Sequence, residues 1–441
     1  MPTSPPRSRA ALGWRGPFRH RNYRLFFGGQ LISLVGTWMQ SVAVTWLVYR
    51  TTGSALLLGV LGFASQMPTF LISPFAGVLA DRLNRHRILV ATQAVAMVQA
   101  LVLAVLTLTG TIEAWSIVAL SILLGVINGF DIPVRQSFVH EMIENREDLP
   151  NAIALNSSMF NAARLVGPSI AGIVLAAIGE GMCFLVNAVS FVAVIAALLA
   201  MRLPPPRTAP ATGSVIQGLR DGLRYAVEFA PIKNLLLLVA IVSGLGLPVF
   251  VLMPVYAKDV LGGGPGTLGL LMSAIGLGAM SGAITLASRT SIVGLVRWAT
   301  IATAVFASSI IAFAYSTIIW VSLPLLFLVG YGMMVQMASC NTILQTITDD
   351  DKRGRVMSFY TMAFMGMMPL GSLLAGAAAS RIGTPHTVMA SGVVCAAGAV
   401  WFTTRVRGLR ETIRPVYVRK GIIPEVSAAL EATSELSGPE N

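Results

Sequence analysis

Charge is what this sequence has least of. Asp, Glu, Lys and Arg make up 11% of its 441 residues against 55% hydrophobic ones, and the mean hydropathy is +0.75. Soluble domains carry about 25% charged residues, so a water-soluble globule could not place this much apolar side chain and is excluded. Cysteine is nearly as scarce. Cys183, Cys340 and Cys395 fall inside apolar stretches at unrelated spacings, which predicts neither a disulfide framework nor a metal site, and they read as apolar packing residues. His20, His86, His140 and His386 are scattered at the ends of apolar runs, and no Gly-x-x-x-x-Gly-Lys phosphate loop or nucleophile elbow occurs. The expectation is a chain that is not an enzyme, has no ATPase of its own, and holds no cofactor and no metal.

Apolar runs of spanning length are what is abundant. They cover 23–49, 54–80, 87–109, 114–138, 151–178, 181–201, 233–257, 266–288, 293–315, 317–346, 355–380 and 385–406, each long enough to cross about 30 Å of hydrocarbon as a helix. Lys and Arg outnumber Asp and Glu by 31 to 19. In a soluble chain that excess would suggest nucleic acid; here its placement gives topology instead, and no nucleic-acid partner is expected. Arg7 to Arg24 precede the first span. Even-numbered connections hold Arg82, Arg85, Arg87, Arg146, Arg202, Arg220, Arg289, Arg297, Lys352, Arg353 and Arg355, and the tail is basic from Arg405 to Lys420. The opposite side holds Arg50, Lys258 and Arg381. The positive-inside rule then predicts both termini in the cytoplasm and an even helix count. No short apolar core with a cleavage site follows the basic start, so the first span is expected to remain as an anchor.

The spans divide in two. Leu203-Pro204-Pro205-Pro206 and the charged, amphipathic run Ser214 to Phe229 interrupt the hydropathy and mark a cytoplasmic linker. The expected organisation is a basic N-terminus over 1–22, a six-helix half over 23–201, a linker over 202–231, a second half over 232–407 and a cytoplasmic tail over 408–441. Shifting the chain by 204 positions aligns Phe160, Gly167, Ala171, Gly172, Ile178 and Gly179 with Phe364, Gly371, Ala375, Gly376, Ile382 and Gly383. Parallel repeats imply an axis along the membrane normal and a central site near the midplane, opened alternately to each side. The predicted fold is all-α and integral to the membrane, with twelve transmembrane helices in two six-helix halves.

Three stretches resemble a known family. Gly77-Val78-Leu79-Ala80-Asp81-Arg82-Leu83-Asn84-Arg85-His86-Arg87 resembles the signature loop after the second helix of the major facilitator superfamily, with Asn84 where a Gly is usual and His86 in place of a fixed cation. Ala163-Arg164-Leu165-Val166-Gly167-Pro168-Ser169-Ile170-Ala171-Gly172 resembles the Gly-Pro motif in the fifth helix of that superfamily's exporters. The text from Trp38-Met39-Gln40 through Asp131-Ile132-Pro133-Val134-Arg135 to Asp148-Leu149-Pro150 is similar to the branch containing bacterial enterobactin exporters and macrolide efflux pumps. The resemblance implies a secondary-active exporter of small molecules in the bacterial plasma membrane, a likeness to drug:proton antiporters, and a monomer among membrane lipid. It also implies a gate latch at Gly77, Asp81, Arg82, Arg85 and Arg87, and a kinked contact that limits leakage at Gly167, Pro168 and Gly172. Alternatives are a lipid or lysophospholipid transporter on the same fold and a non-transporting receptor.

Ionisable residues within spans cost at least about 2.5 kcal/mol on insertion scales and face the bundle interior. Asp131 and Arg135 are four apart on one face of the fourth helix, and Arg164 lies well inside the fifth. Two readings stand open: Asp131 couples protons with Arg164 competing for it, the three forming a network, or the charges are a permanent structural pair. Arg164 has a further option, meeting an anionic group on a substrate. Gln30, Trp38, Gln40, Asn128, Asn156, Asn161, Tyr331, Gln336 and Asn341 form a candidate cavity lining, since amides in apolar helices need partners. Met333, Met334, Met337, Met357, Met362, Met365, Met367 and Met368 crowd helices ten and eleven, a composition suited to varied apolar ligands. Glu113, Glu180 and Asp259 are expected as solvated carboxylates in outer turns.

Overall fold

A computed structural model describes residues 15–202, 229–289, 291–349 and 352–419. Most of the expected linker, the first part of the basic N-terminus and the last part of the tail therefore lie outside the described residues. Among those described, every long element is a helix, the structure that satisfies each backbone N–H and C=O within one segment where no water is available.

Eleven helices are long and apolar enough to cross a membrane. One of these, Leu149–Leu199, has 51 residues, about 76 Å at 1.5 Å per residue, far beyond one crossing. Gly179 breaks it with φ 81° and ψ 177°, a backbone conformation open to glycine and strained for other residues. Its two ends also return to the same place. His20 Nε2 lies 3.0 Å from Asp148 Oδ2, and Asn22 Nδ2 donates to the Arg202 carbonyl at 2.8 Å. The run is thus a hairpin of two spans, and the described residues hold twelve.

In chain order the spans are α1 Arg21–Thr52, α2 Ala55–Arg82, α3 Arg85–Leu108, α4 Ala114–Met142, α5 149–178 and α6 180–199. The second half holds α7 Ala230–Val260, α8 Pro265–Ala287, α9 Leu295–Ala314, α10 Ile319–Ile347, α11 Arg353–Ile382 and α12 Thr384–Arg419. The side on which α1 begins is called the terminal face below, and its opposite the far face. Trp115 and Trp320, at the far-face starts of α4 and α10, are 70% and 79% exposed, as expected of an aromatic belt at a membrane interface.

Lipid tails are as apolar as leucine, so helices associate through close packing of small residues. Those contacts realise the repeat. A Cβ added at Gly167 of α5 would collide with Trp38 of α1, and one added at Gly371 of α11 would collide with the Gly244 carbonyl of α7. Five residues on in each helix, Gly172 abuts Gly269 of α8 and Gly376 abuts Gly59 of α2. Each of α5 and α11 therefore packs its first glycine within its own half and its second against the other half.

The helices are not all regular. In α7, π turns over Val242–Gly246 and Tyr256–Val260 flank a 3-10 stretch over Leu247–Leu252 and a short α turn over Met253–Val255, where Pro248 and Pro254 respectively remove backbone donors. A π turn over Met362–Gly366 interrupts α11. The largest departure from expectation is α12, which does not end near 406 but continues to Arg419. Ile413 and Tyr417, four apart and so on one face, are buried against the bundle, and burial pushes the Tyr417 phenol above its ordinary pKa. The start of the expected polar tail is a packed amphipathic helix.

Candidate functional site

The two halves meet along α2 with α11, α5 with α8, and α1 with α7. On the far side the junction is tight. Ser169 and Ser273 hydroxyls are 2.7 Å apart, a Cβ at Gly172 would lie 2.9 Å from Gly269 Cα, and one at Gly376 would lie 2.7 Å from Gly59 Cα. At the rim, the Tyr49 hydroxyl donates to Asp259 Oδ2, and Lys258 Nζ stands 5.5 Å from the Tyr49 ring centroid. A hollow of about 560 Å³ opens outside this contact, bounded by Tyr49, Gly53, Asp259 and Gly383. All three acids expected to be solvated are engaged: Asp259 bridges the halves, Glu180 accepts from Arg50 Nε at 2.6 Å, and Glu113 accepts from Trp115 Nε1. Glu113 caps α4 in a reciprocal pairing with Ser116.

Toward the terminal face, the described hydrogen bonds, ring contacts and glycine crossings between halves stop at the level of Phe70 against Gly366, Leu165 against Gly276 and Arg164 against Met333. Beyond that level α5 presents a stripe of Ser157, Phe160, Asn161 and Arg164, spaced three and four apart. Ser157 and Phe160 are exposed and the other two half-buried. Polar groups on such a stripe fit a water-filled cleft better than lipid.

Asp131 is buried at 4% exposure, between α3 and α4 inside the first half. Its Oδ1 accepts from Thr92 Oγ1 at 3.0 Å and Gln93 Nε2 at 2.7 Å, and its Oδ2 lies 3.3 Å from Arg135 Nε. The structure thus brings Asp131 and Arg135 together but does not bring Arg164 to them, so the expected three-membered network is a two-charge pair. Thr92 and Gln93 were not singled out in the sequence. Their place on α3 opposite Asp131 is a matter of helix rotation, which an all-round apolar pattern does not encode.

Arg164 sits halfway along α5. Its guanidinium carbon is 5.8 Å from the Trp38 ring centroid, and its Nη2 is 3.8 Å from Met333 Sδ of α10. Trp38 in turn meets Phe160 edge to face at 5.7 Å. The expected exporter motif lies one turn on, with Gly167, Pro168 and Gly172 all buried.

The remaining candidates separate. Gln40 is buried in a chain of amides, donating to Gln99 Oε1 at 3.1 Å and accepting from Asn187 Nδ2 at 2.7 Å. It ties α1, α3 and α6 together and does not face a cavity, a correction to its expected role. Gln30 is also buried. Gln336 is fully buried in α10 with its Oε1 unpaired and its Nε2 3.5 Å from Cys340 Sγ, again not a cavity wall. Asn128, Asn156, Asn161, Tyr331 and Asn341 are half-buried, with Asn161 donating to the Ser157 carbonyl and Asn341 accepting from Gln345.

In the signature loop, Gly77, Asp81 and Arg82 close α2, and their side chains lie outside the described ones. Arg85 Nη1 pairs with Glu141 of α4 at 2.8 Å, and Arg87 is exposed. Asn84, where a Gly is usual, is in the extended region and not the left-handed one. With φ −70° and ψ 105° it is the N-cap of α3, its side chain accepting from the Arg87 amide at 3.1 Å, a role for which Asn is favoured.

Twelve spans in two repeated halves, joined by small-residue crossings around a mid-membrane charge, define a transporter of the major facilitator type rather than an enzyme. Residues 13–430 match the transmembrane secretion effector family, and the chain belongs to that family of membrane exporters. It is 24% identical over 386 residues to the staphyloferrin A transporter of Staphylococcus aureus, covering 87% of this chain and 96% of that one. It is 29% identical over 372 residues to the multidrug efflux pump Tap of Mycolicibacterium fortuitum, covering 80% and 88%. Among solved structures, a bacterial homolog of the human lysosomal transporter Spinster, inward-facing and unoccupied, superposes with a TM-score of 0.67 at 12% identity, over 93% of this chain and 99% of that one.

Proposed function

We propose that this protein exports small organic molecules from the cytoplasm across the bacterial plasma membrane by alternating access, driven by proton antiport. The terminal face is the cytoplasmic one on the positive-inside rule, which puts both termini in the cytoplasm. The observation that carries the reading is the asymmetry of the junction. Among the described residues, the glycine and serine crossings between the halves lie on the far side and reach no nearer the terminal face than the level of Arg164, which supports a carrier loaded from the cytoplasm. The relatives named above are a siderophore transporter and a drug pump, which supports export of small molecules. The protein acts as a monomer in lipid.

The coupling carboxylate is Asp131. Three donors hold it in this state, so taking up a proton requires those donors to part, which ties protonation to movement of α3 against α4. The signature loop, with Gly77, Asp81, Arg82, Arg85 and Arg87, latches the cytoplasmic side when the far side opens. Everted vesicles with an inside-acid gradient test the reading. Adding macrolides, dyes or catecholate siderophores is expected to discharge the gradient with the wild-type protein and not with Asp131→Asn present at equal amount. Equal discharge by the variant removes Asp131 from the coupling path, and no discharge by any compound removes either proton coupling or these compound classes as substrates.

A further inference from the structure

The charge inventory of the spans is lopsided. Asp131 is the sole carboxylate set deep in any span of the sequence, and no Asp or Glu occurs from 260 to 348 or from 352 to 410. Asp131 faces α3 within the first half and is engaged by Arg135. The walls around Arg164 therefore offer no carboxylate to a cationic guest. Among the described residues they also leave the guanidinium with no anion: its contacts there are the Trp38 ring, 5.8 Å to the centroid, and the soft Met333 sulfur at 3.8 Å. An intramembrane cation with so weak a set of partners is costly to insert, and such residues are kept where function uses them.

We propose that Arg164 anchors an anionic group on the transported molecule, so that the substrate is an amphipathic organic anion: an aromatic or apolar body carrying a carboxylate, sulfonate or phosphate. The inference rests on the exporter reading above and narrows its substrate class. A guanidinium presents a planar fork of donors matched to such oxyanions. Trp38, Phe160 and Met333 supply the apolar flank, and the Ser157 and Asn161 stripe leads to the site from the terminal face. Met333 belongs to the second half, so an anion that takes its place on Arg164 is felt at the junction between halves, where binding can be converted into rocking.

The test uses two dyes built on one ring system with opposite charge. Carboxyfluorescein and rhodamine 123 are titrated against the purified full chain in phosphatidylcholine nanodiscs, read by fluorescence polarisation. Carboxyfluorescein is expected to bind at least about tenfold more tightly, the scale of one charge-assisted contact. Arg164→Gln should erase that preference while eluting as a folded monomer, and Arg164→Lys should restore part of it. A preference for rhodamine 123, no saturable binding of the anion, or a preference that survives in Arg164→Gln overturns the inference. Repeating the titration in phosphatidylglycerol discs separates sources of the anion. Unchanged affinity supports a soluble guest, and a tenfold loss assigns Arg164 to lipid headgroups and overturns it. Accumulation of the dyes in everted vesicles reads the exporter function independently. Anion binding without accumulation leaves the site and removes export, whereas accumulation of the cation alone keeps export and removes the site.

Discussion

Gly172→Val is expected to suppress transport without loss of the protein from the membrane. A Cβ at this position lies 2.9 Å from Gly269 Cα, backbone that cannot move aside as a flexible side chain would. Overpacking of this kind costs about 1–3 kcal/mol. The crossing joins the two halves, so the cost falls on the state in which the far side is closed and spares any state in which α5 and α8 have parted there. A bias of that size changes a conformational ratio by about 5–150-fold. Gly376→Val, facing Gly59 at 2.7 Å in the pseudo-symmetric position, should act in the same direction. Initial rates in vesicles, normalised to protein amount, check this, and wild-type rates in both variants would mean the crossings do not limit the cycle.

Asp131→Ala should damage stability more than any other single change considered. It leaves Arg135 as a largely buried cation and orphans the donors of Thr92 and Gln93. Breaking a buried pair by removing one partner costs about 3–5 kcal/mol, whereas replacing both by apolar residues is often neutral. Thermal unfolding followed by size exclusion is therefore expected to show a large loss for Asp131→Ala and recovery for Asp131→Leu combined with Arg135→Met. The recovered double variant should still fail to discharge a proton gradient if Asp131 is the coupling group. A double variant that is folded and fully active would make the pair purely structural.

Much of the architecture was legible because membrane insertion is decided by features local in sequence. Apolar run length placed every span start, and every span end but that of α12, within a few residues, the break at Gly179 fell in the expected turn, and the shift of 204 positions found two glycines in α11 that pack as their counterparts in α5 do. The end of α12 was not legible from hydropathy. The membrane run stops near 406, while the helix continues on an amphipathic pattern in which Ile413 and Tyr417 are buried.

Side-chain partners were legible only within one helix. Asp131 with Arg135 is a spacing of four. Gln40 with Gln99 and Asn187, or Asp131 with Thr92 and Gln93, depend on how three helices are rotated about their axes. Helices that are apolar on most sides carry little record of that rotation. The same limit explains why Gln336 looked like a cavity residue and is enclosed within the second half, and why the Tyr49 to Asp259 bridge across the rim was not anticipated.

In the proposed cycle, transport requires the far-side junction to open and close. Ser169 and Ser273 place their hydroxyls 2.7 Å apart across it, within reach of a disulfide if both are replaced, and the native Cys183, Cys340 and Cys395 are buried. Oxidising the Ser169→Cys and Ser273→Cys double variant in vesicles is predicted to stop substrate transport and reduction to restore it, with each single variant unaffected. A cross-linked protein that transports at the rate of its reduced form would contradict alternating access through this junction.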